Sequence, residues 1–278
     1  MKNKTYELLY DTQAQFNQAQ GNSGNVTSVT PGVAYVVESG KTSFNNNLVS
    51  FLIQYNVDDI SEPTQIYNSD NVKNNLREII VDKTHIPASA VTNTYQFTET
   101  GIHKAWFRYT NFTSIGANAF TDISGSTASL VIPNTVSSIG QLAFRNGGFT
   151  GGLTLPDYIS SLPNYTFETC HNFTGKLTIP SGVTSIGEQC FDYCSGFTSL
   201  EMLPLSTVSI KRYAFRGCSG IRELKLGGPI TCAANVFLEC TKLKRVDIQA
   251  LKRGVNVVFW DLIRLGSRLR QAERGIFI

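Results

Sequence analysis

Apolar residues recur with a period in the low twenties between residues 113 and 248. Six phenylalanines mark the period, at intervals of 24, 23, 24, 24 and 22 residues: Phe120, Phe144, Phe167, Phe191, Phe215 and Phe237. The residue five places before each of them keeps the same step and is apolar: Ile115, Ile139, Leu162, Ile186, Ile210 and Cys232. Six repeats of this length predict a solenoid, in which each unit is stable only when it is stacked on its neighbours.

A strand-like triplet follows each phenylalanine by nine or ten residues. Its outer residues are apolar and its middle one is usually polar, an alternation that predicts a strand with one buried face. Proline often comes next and can end a strand, because it has no N–H to donate to the sheet. The triplets are residues 130–132, 153–155, 177–179, 200–202, 224–226 and 246–248, and the prolines are Pro133, Pro156, Pro180 and Pro204.

A glycine lies between the isoleucine and the phenylalanine of three units: Gly116, Gly140 and Gly187. We predict a corner there, for which the backbone freedom of glycine is suited. The phenylalanine is then expected on a short helical or irregular turn, with its ring pointing inward, so that stacked units form one buried aromatic column. The predicted fold is therefore mainly β with short helical turns, arranged as a solenoid of about six coils.

Strand patterns of a different kind precede the repeats. Residues 33–37 and 42–44 predict a hairpin around a turn at 39–41, and residues 48–55 predict a further strand. Residues 71–81 fit either a short helix or a strand. A last hairpin is predicted from residues 94–97 and 103–109 with a turn at Gly101, and it resembles the final hairpin of an immunoglobulin-type sandwich.

These patterns divide the chain into four predicted parts. Residues 1–44 form an N-terminal arm and hairpin. Residues 45–110 form a small β domain, for which an immunoglobulin-like arrangement is one interpretation. Residues 111–249 form the solenoid, and residues 250–278 form a basic cap. The first 30 residues are rich in Gln, Asn, Ser, Thr and Gly, which predicts a flexible or extended arm; an arm that makes an assembly contact stays open as an alternative.

One repeat, residues 179–194, reads Ile-Pro-Ser-Gly-Val-Thr-Ser-Ile-Gly-Glu-Gln-Cys-Phe-Asp-Tyr-Cys. It resembles the BspA-type leucine-rich repeats of bacterial surface proteins, with Cys190 in place of an alanine. The resemblance covers about half of the chain and weakens at Leu162 and Pro163 and at residues 231–233. It implies a leucine-rich-repeat solenoid that serves binding or adhesion. Residues 30–36 in turn resemble segments of structural proteins of bacterial viruses.

The charge of the chain is modest and uneven. The 278 residues carry a net charge of +3, whereas the last 28 carry six cations against Asp261 and Glu273. This basic segment is expected to cover the last coil, since an open solenoid end needs a cap; a membrane-surface or partner-binding segment is the alternative. The segment alone is too little for a nucleic-acid partner, and we expect none.

Four cysteines follow the repeat phenylalanine by three residues: Cys170, Cys194, Cys218 and Cys240. This position in the unit predicts a ladder of buried, reduced thiols, with disulfides between coils as the alternative. The places of Cys190 and Cys232 stay unexplained. The three histidines, His85, His103 and His171, fit no metal or catalytic spacing. We therefore expect no enzyme, no metal and no cofactor.

The expected function is recognition of a partner, either a protein or a glycan on a cell surface. The chain itself is expected to be extracellular, on a cell surface or on a virion. No stretch approaches the roughly 20 apolar residues that span a bilayer. The N-terminus lacks the apolar run of a secretion signal, which favours a virion protein over a secreted or anchored adhesin. A binding module of a larger enzyme is the third alternative. The predicted ligand face consists of the outward triplet residues and their neighbours: Thr154, Thr178, Glu201, Lys225, Asp247, Lys176, Glu223 and Arg245.

Overall fold

The computed structural model describes the backbone of residues 6–9, 33–38, 41–123, 130–202 and 204–248, and the side chains within these ranges from residue 52 to 247. Most of the predicted arm and the whole predicted cap at 250–278 therefore lie outside the described residues. The division into four domains stays a prediction. So does the immunoglobulin-type arrangement.

In the described part of residues 1–110, eight strands and two short 3-10 helices precede the repeats. The helices are Asp70–Lys73 and Ala88–Ala90. The strands are β1 (Tyr6–Leu9), β2 (Val33–Glu38), β3 (Lys41–Val57), β4 (Thr64–Gln65), β5 (Leu76–Val81), β6 (Thr84–Pro87), β7 (Thr94–Tyr95) and β8 (Gly101–Tyr109).

Six of these strands form one antiparallel sheet, in the order β1-β2-β3-β8-β5-β6. The predicted hairpin of residues 33–44 is confirmed, since β2 and β3 pair antiparallel with Val37 opposite Thr42. The strand predicted at 48–55 is also present, but it belongs to the same 17-residue strand β3. Residues 71–81 combine both predicted forms, because the first 3-10 helix leads directly into β5.

The predicted hairpin between residues 94–97 and 103–109 is wrong. Strand β7 pairs with β4 in a separate two-stranded sheet, and β8 lies between β3 and β5. The reason is Phe97, which is 3% exposed and packs against Tyr55 of β3 and His103 of β8, with ring centroids 6.3 and 4.5 Å away. The segment between β7 and β8 is thus held on the face of the sheet and does not extend it.

The repeats contribute two sets of short strands. The triplets give β10 (Leu130–Val131), β13 (Gly175–Ile179), β15 (Phe197–Met202), β17 (Glu223–Leu226) and β19 (Arg245–Ile248). The positions just before the glycines give β9 (Ser114–Ile115), β11 (Ser138–Ile139), β12 (Ser161–Leu162), β14 (Ser185–Ile186), β16 (Val208–Ile210) and β18 (Ile230–Cys232).

Four of the triplets stack as a parallel sheet in the order β13-β15-β17-β19. The first triplet departs from this pattern, since β10 pairs antiparallel with β3 and so joins the N-terminal sheet. The second triplet, at 153–155, forms no strand, and an isolated bridge between Gly151 and Phe173 lies just before it. The solenoid is therefore confirmed, but its first coils are adapted to the sheet beside them.

The second set of strands lies directly before the glycines at which a corner was predicted. It forms a parallel ladder, β12-β14-β16-β18, and a separate pair, β9 and β11. The glycine that follows each strand is not needed for backbone freedom, because none of Gly116, Gly140 and Gly187 has a positive φ. It is needed because adjacent coils lie too close together for a side chain. A Cβ added to Gly187 would lie only 2.5 Å from the backbone nitrogen of Asn164 in the preceding coil.

The turn that carries each phenylalanine is built from left-handed residues. The residues two before and two after it have φ between 53° and 66°: Asn118, Leu142, Tyr165, Gln189, Tyr213 and Asn235 before it, and Asp122, Asn146, Thr169, Tyr193, Gly217 and Glu239 after it. Bulky residues seldom adopt this conformation. Hydrogen bonds to the next coil hold it, as when the amide of Tyr193 donates to the carbonyl of Arg216 at 2.7 Å.

The predicted aromatic column is present and buried. The six repeat phenylalanines stack with neighbouring ring centroids 5.2 to 5.8 Å apart. A second column that was not predicted runs beside it through Phe149, Phe173 and Phe197, with centroids 6.1 and 5.8 Å apart. One core continues from Ile53 in the N-terminal sheet to Leu243 in the last described coil.

Candidate functional site

The outward side chains of β13, β15, β17 and β19 form a regular surface, which we call the sheet face. Strand register places Thr178, Glu201, Lys225 and Asp247 in one row across the coils. The alternation of buried and outward residues produces this row, because successive side chains of a strand point to opposite faces. Four of the predicted ligand-face residues are thus brought together.

Ion pairs link the rows of the sheet face. The ammonium groups of Lys176 and Lys225 lie 2.8 and 2.6 Å from the two carboxylate oxygens of Glu201. Hydrogen bonds donated by Lys176 and then Lys225 lower the pKa of Glu201, and the bond that Lys225 donates to Glu201 raises the pKa of Lys225. Arg245 makes a longer contact with Glu223, 3.5 Å between Nε and Oε1. All three additional predicted residues, Lys176, Glu223 and Arg245, therefore belong to the face.

Thr154 is the predicted site residue that does not join the others. It is exposed, but it lies in the second coil, whose triplet forms no strand. Gly151 and Gly152 precede this triplet, and Gly151 has a φ of 78°. A bridge joins Gly151 to Phe173 of the next coil, but Thr154 is in none of the strands of the sheet β13-β15-β17-β19, so it lies outside the register of the sheet face.

A second polar surface was missed by the sequence reasoning. The residue after each repeat phenylalanine is charged in four successive coils, and these side chains pair as Arg145 with Glu168 and Asp192 with Arg216. We call this surface the turn face. The Arg145 Nε lies 2.6 Å from Glu168 Oε2. The signal was available, because charged residues recur at the period of the phenylalanines.

The Asp192–Arg216 pair is the most buried part of the turn face. The Asp192 side chain is 1% exposed and accepts two hydrogen bonds from the Arg216 guanidinium, one of them 2.8 Å long. Gln189 donates a third, at 2.9 Å. The guanidinium also lies over the rings of Tyr193 and Tyr213, 5.0 and 4.6 Å from their centroids. This arrangement satisfies the buried carboxylate and serves stability.

The repeat cysteines are buried and reduced, as predicted. Cys170, Cys194, Cys218 and Cys240 are free thiols that are at most 1% exposed. Burial raises the pKa of Cys170 and of Cys240 to about 12, and it raises the pKa of Cys194 and Cys218 well above the ordinary value. These groups do not provide nucleophiles.

The histidines take part in ordinary surface contacts. Nδ1 of His85 lies 2.8 Å from Glu78, Nδ1 of His103 lies 2.7 Å from Asp82, and Nδ1 of His171 lies 2.8 Å from the Tyr193 carbonyl. In the described part of the chain, no group of three or more His, Cys, Asp or Glu residues is arranged to hold a metal ion. No described helix has the length and apolarity that a membrane crossing requires.

Comparison with known proteins agrees with this geometry. The sequence model of the BspA type leucine rich repeat region matches six copies, over residues 84–188 and 148–261, which is more than half of the chain. A crystal structure of a leucine-rich repeat protein from Bacteroides ovatus ATCC 8483 is similar at 25% identity, with a TM-score of 0.39. That similarity covers 52% of this chain and 43% of the other protein. A search of curated proteins finds no match.

Proposed function

Because the chain belongs to the BspA-type leucine-rich repeat family, we propose that it is a non-enzymatic recognition scaffold that binds a partner protein through the sheet face. Proteins of this family are typically associated with surfaces and adhesion. The observation that supports this proposal is the in-register sheet β13-β15-β17-β19, on which the opposite charges of Glu201 and Lys225 lie side by side. A rigid surface of this kind loses little conformational entropy when it binds.

The ion pairs within the sheet face can be replaced by ion pairs with a partner. Lys176 and Lys225 are 56% and 42% exposed, so their contacts with Glu201 are screened by solvent. Such pairs contribute about 0–1 kcal/mol to stability. Replacing them with contacts to a partner therefore costs little, and their alternating signs give specificity for a surface of complementary pattern.

The mixture of charges favours a folded protein over a uniformly charged polymer. Glu201 and Asp247 would repel a polyanion, whereas Lys225 between them would repel a polycation. A protein surface can present both signs at the required spacing. A glycan, the other partner that the sequence predicts, has no particular support on this face.

Display outside the cell, either on a cell surface or on a virus particle, forms part of the proposal. The usual surface association of the family supports it, and the resemblance of residues 30–36 to structural proteins of bacterial viruses supports the virion. The genes beside this one would distinguish the two carriers, since portal and tail genes accompany a virion protein. A contact of the N-terminal arm with a larger assembly is proposed on the same basis.

A charge exchange on the sheet face tests the proposed partner site. The double variant Glu201→Lys with Lys225→Glu keeps opposite charges at the two positions but changes the pattern that a partner meets. The labelled chain would be measured by flow cytometry on intact bacterial and animal cells. We expect attachment of the variant to weaken by about tenfold or more, while its thermal unfolding stays close to that of the unmodified chain.

The matched control exchanges the charges of an ion pair on the turn face, Arg145→Glu with Glu168→Arg. This pair is also accessible, with the Arg145 side chain 42% exposed. Attachment by the control should be unchanged. If the exchange at positions 201 and 225 left attachment intact while the control abolished it, the partner would bind the turn face and the proposed site would be wrong.

A further inference from the structure

Positive charge is concentrated in the last coils of the solenoid. Residues 111–204 carry two cations and six anions, whereas residues 205–248 carry eight cations and three anions. Three of these eight cations, Arg216, Lys225 and Arg245, form ion pairs. The other five are exposed and form no ion pair with any described residue: Lys211, Arg212, Arg222, Lys242 and Lys244.

Two of the cations without an ion pair occupy equivalent positions at the edge of the sheet face. Arg222 directly precedes β17, and Lys244 directly precedes β19. The amides of Lys244 and Arg245 both donate to the carbonyl of Arg222, at 2.9 and 3.0 Å, so these residues are neighbours in successive coils. We call the exposed cations Arg222, Lys242, Lys244 and Arg245 the basic margin.

The carboxylate opposite Arg245 compensates little of the charge of the basic margin. Glu223 is the register partner of Arg245, with 3.5 Å between Nε and Oε1, and the two side chains are 45% and 72% exposed. An ion pair with this exposure is screened by water and contributes little to stability. Arg245 can therefore exchange Glu223 for a partner's carboxylate, and the margin keeps an excess of positive charge.

The size of the basic margin limits the kind of anion that it fits. Neighbouring strands of a sheet are about 4.8 Å apart, and the equivalent positions of the two preceding coils hold neutral residues, Thr174 and Thr198. Among the described residues the margin is therefore two coils wide. A long polyanion follows a continuous track of positive charge, and here it would also meet Glu201 and Asp247 on the sheet face. A short acidic stretch of a protein fits this arrangement better.

We propose that the basic margin binds an acidic segment of the partner protein, a short run of Asp or Glu side chains that lies beside the sheet face. This inference rests on the proposed function for the position of the partner. The guanidinium groups of Arg222 and Arg245 can each bind a carboxylate through two parallel hydrogen bonds, whereas Lys242 and Lys244 provide point charges. The excess charge also attracts an acidic partner before contact and so increases its association rate.

An acidic probe tests the basic margin of the full chain without the natural partner. The probe is fluorescein-labelled hexaglutamate, measured by fluorescence anisotropy at about 0.05 M salt, where charges interact over more than about 10 Å. We expect a dissociation constant of about 0.1–1 mM and a loss of binding at about 0.5 M salt. Labelled hexaglutamine is the neutral control. Hexaglutamate that bound no better than hexaglutamine would overturn the proposal.

A pair of variants with equal net charge locates the bound probe. Arg222→Gln with Lys244→Gln removes two cations of the margin at exposed positions and should weaken hexaglutamate binding by about tenfold. The matched control, Lys211→Gln with Arg212→Gln, removes two exposed cations directly after β16, outside the margin. The six cations of residues 251–278 are present in both variants, so their effect is the same. Equal weakening in the two variants would show a response to net charge alone and would overturn the proposed site.

Attachment to cells relates the basic margin to the partner. Arg222→Gln with Lys244→Gln should weaken attachment by about tenfold, and treatment of the cells with proteinase K, followed by washing, should abolish it. Attachment that survived the proteinase would indicate an anionic glycan or lipid surface and would overturn the acidic protein partner.

The two proposals fail in different ways. If Glu201→Lys with Lys225→Glu left attachment intact while the margin variant lost hexaglutamate binding, the proposed partner site on the sheet face would be wrong and the anion site would stand. If that exchange weakened attachment while Arg222→Gln with Lys244→Gln changed neither attachment nor hexaglutamate binding, the basic margin alone would be refuted.

Discussion

The thiol of Cys194 donates a hydrogen bond to the backbone carbonyl of Phe167 in the preceding coil, with 3.0 Å between Sγ and the oxygen. The same bond recurs along the ladder at 3.0 to 3.2 Å, in Cys170 to Phe144, Cys218 to Phe191 and Cys240 to Phe215. Each thiol is thus directed at the main chain of the coil before it and not at another sulfur. A small side chain with a weak donor fits this position, which explains why cysteine recurs there.

The ladder predicts thiols that do not react in the folded protein. With the pKa of Cys170 raised to about 12 and those of Cys194 and Cys218 raised as well, the reactive thiolate is nearly absent at pH 8. Iodoacetamide should leave all three unmodified under native conditions and label them in urea, as followed by mass spectrometry. Cys232, which is half-buried, is the internal comparison and should react first. Rapid native labelling of the three would contradict the ladder.

Removal of one ring from the middle of the aromatic column is predicted to destabilise the protein strongly. Phe191 stacks on Phe167 and Phe215, with centroids 5.3 Å away on both sides, and meets Phe197 edge-on. Phe191→Ala should lower the free energy of unfolding by about 3–5 kcal/mol, since the flanking coils are held apart by their own hydrogen bonds and cannot fill the cavity. Urea unfolding measures this cost. The exposed Tyr158→Ala should change stability by about 0.5 kcal/mol or less, and an equal effect of both would refute the packing.

The period of the sequence was sufficient to predict the solenoid, the burial of the column and the state of the cysteines. These features depend on contacts between equivalent positions of successive coils, so a repeat in sequence is enough to reveal them. The row of Thr178, Glu201, Lys225 and Asp247 follows in the same way, because a regular strand fixes which residues point outward. The ligand that these residues bind stays a prediction.

Features that depend on contacts between unlike segments could not be predicted. Strand β10 has the sequence of a repeat triplet, but it pairs with β3, more than 70 residues earlier, at Leu52 and Ile53, which lie beyond the last pairing of β3 with β2 at Val49. Phe97 looked like part of a hairpin strand, yet tertiary packing against Tyr55 holds it on the sheet.

The glycines before the turns predict that a larger residue at these positions would clash with the preceding coil. A Cβ at Gly187 would lie 2.5 Å from backbone atoms of Asn164 and Pro163, which cannot move without separating two coils. Gly187→Ala should therefore destabilise the protein by about 1–3 kcal/mol through overpacking. Gly152→Ala is the control, because nothing lies within 4 Å of its added Cβ. Thermal unfolding of the two variants compares them, and similar melting temperatures would show that closeness of the coils is not the reason for glycine.

The buried ion pair of the turn face gives the last prediction. The Asp192 side chain is 1% exposed, and Arg216 supplies two of its hydrogen bonds. Arg216→Ala leaves this carboxylate buried without its cation, which should lower the free energy of unfolding by about 3–5 kcal/mol at neutral pH. Arg145→Ala should cost less, because the Glu168 side chain is 14% exposed and water can replace the lost partner. Urea unfolding at pH 7 measures both.

A second substitution separates the effect of charge from that of packing. Arg216 also covers the rings of Tyr193 and Tyr213, so its loss removes contacts as well as a charge. Asp192→Asn in the Arg216→Ala background removes the unpaired charge while keeping a side-chain oxygen that can accept the hydrogen bond from Gln189. Part of the lost stability should return, about 1–3 kcal/mol. No recovery in the double variant would mean that Arg216 stabilises the turn face through its contacts with the tyrosines and not through Asp192.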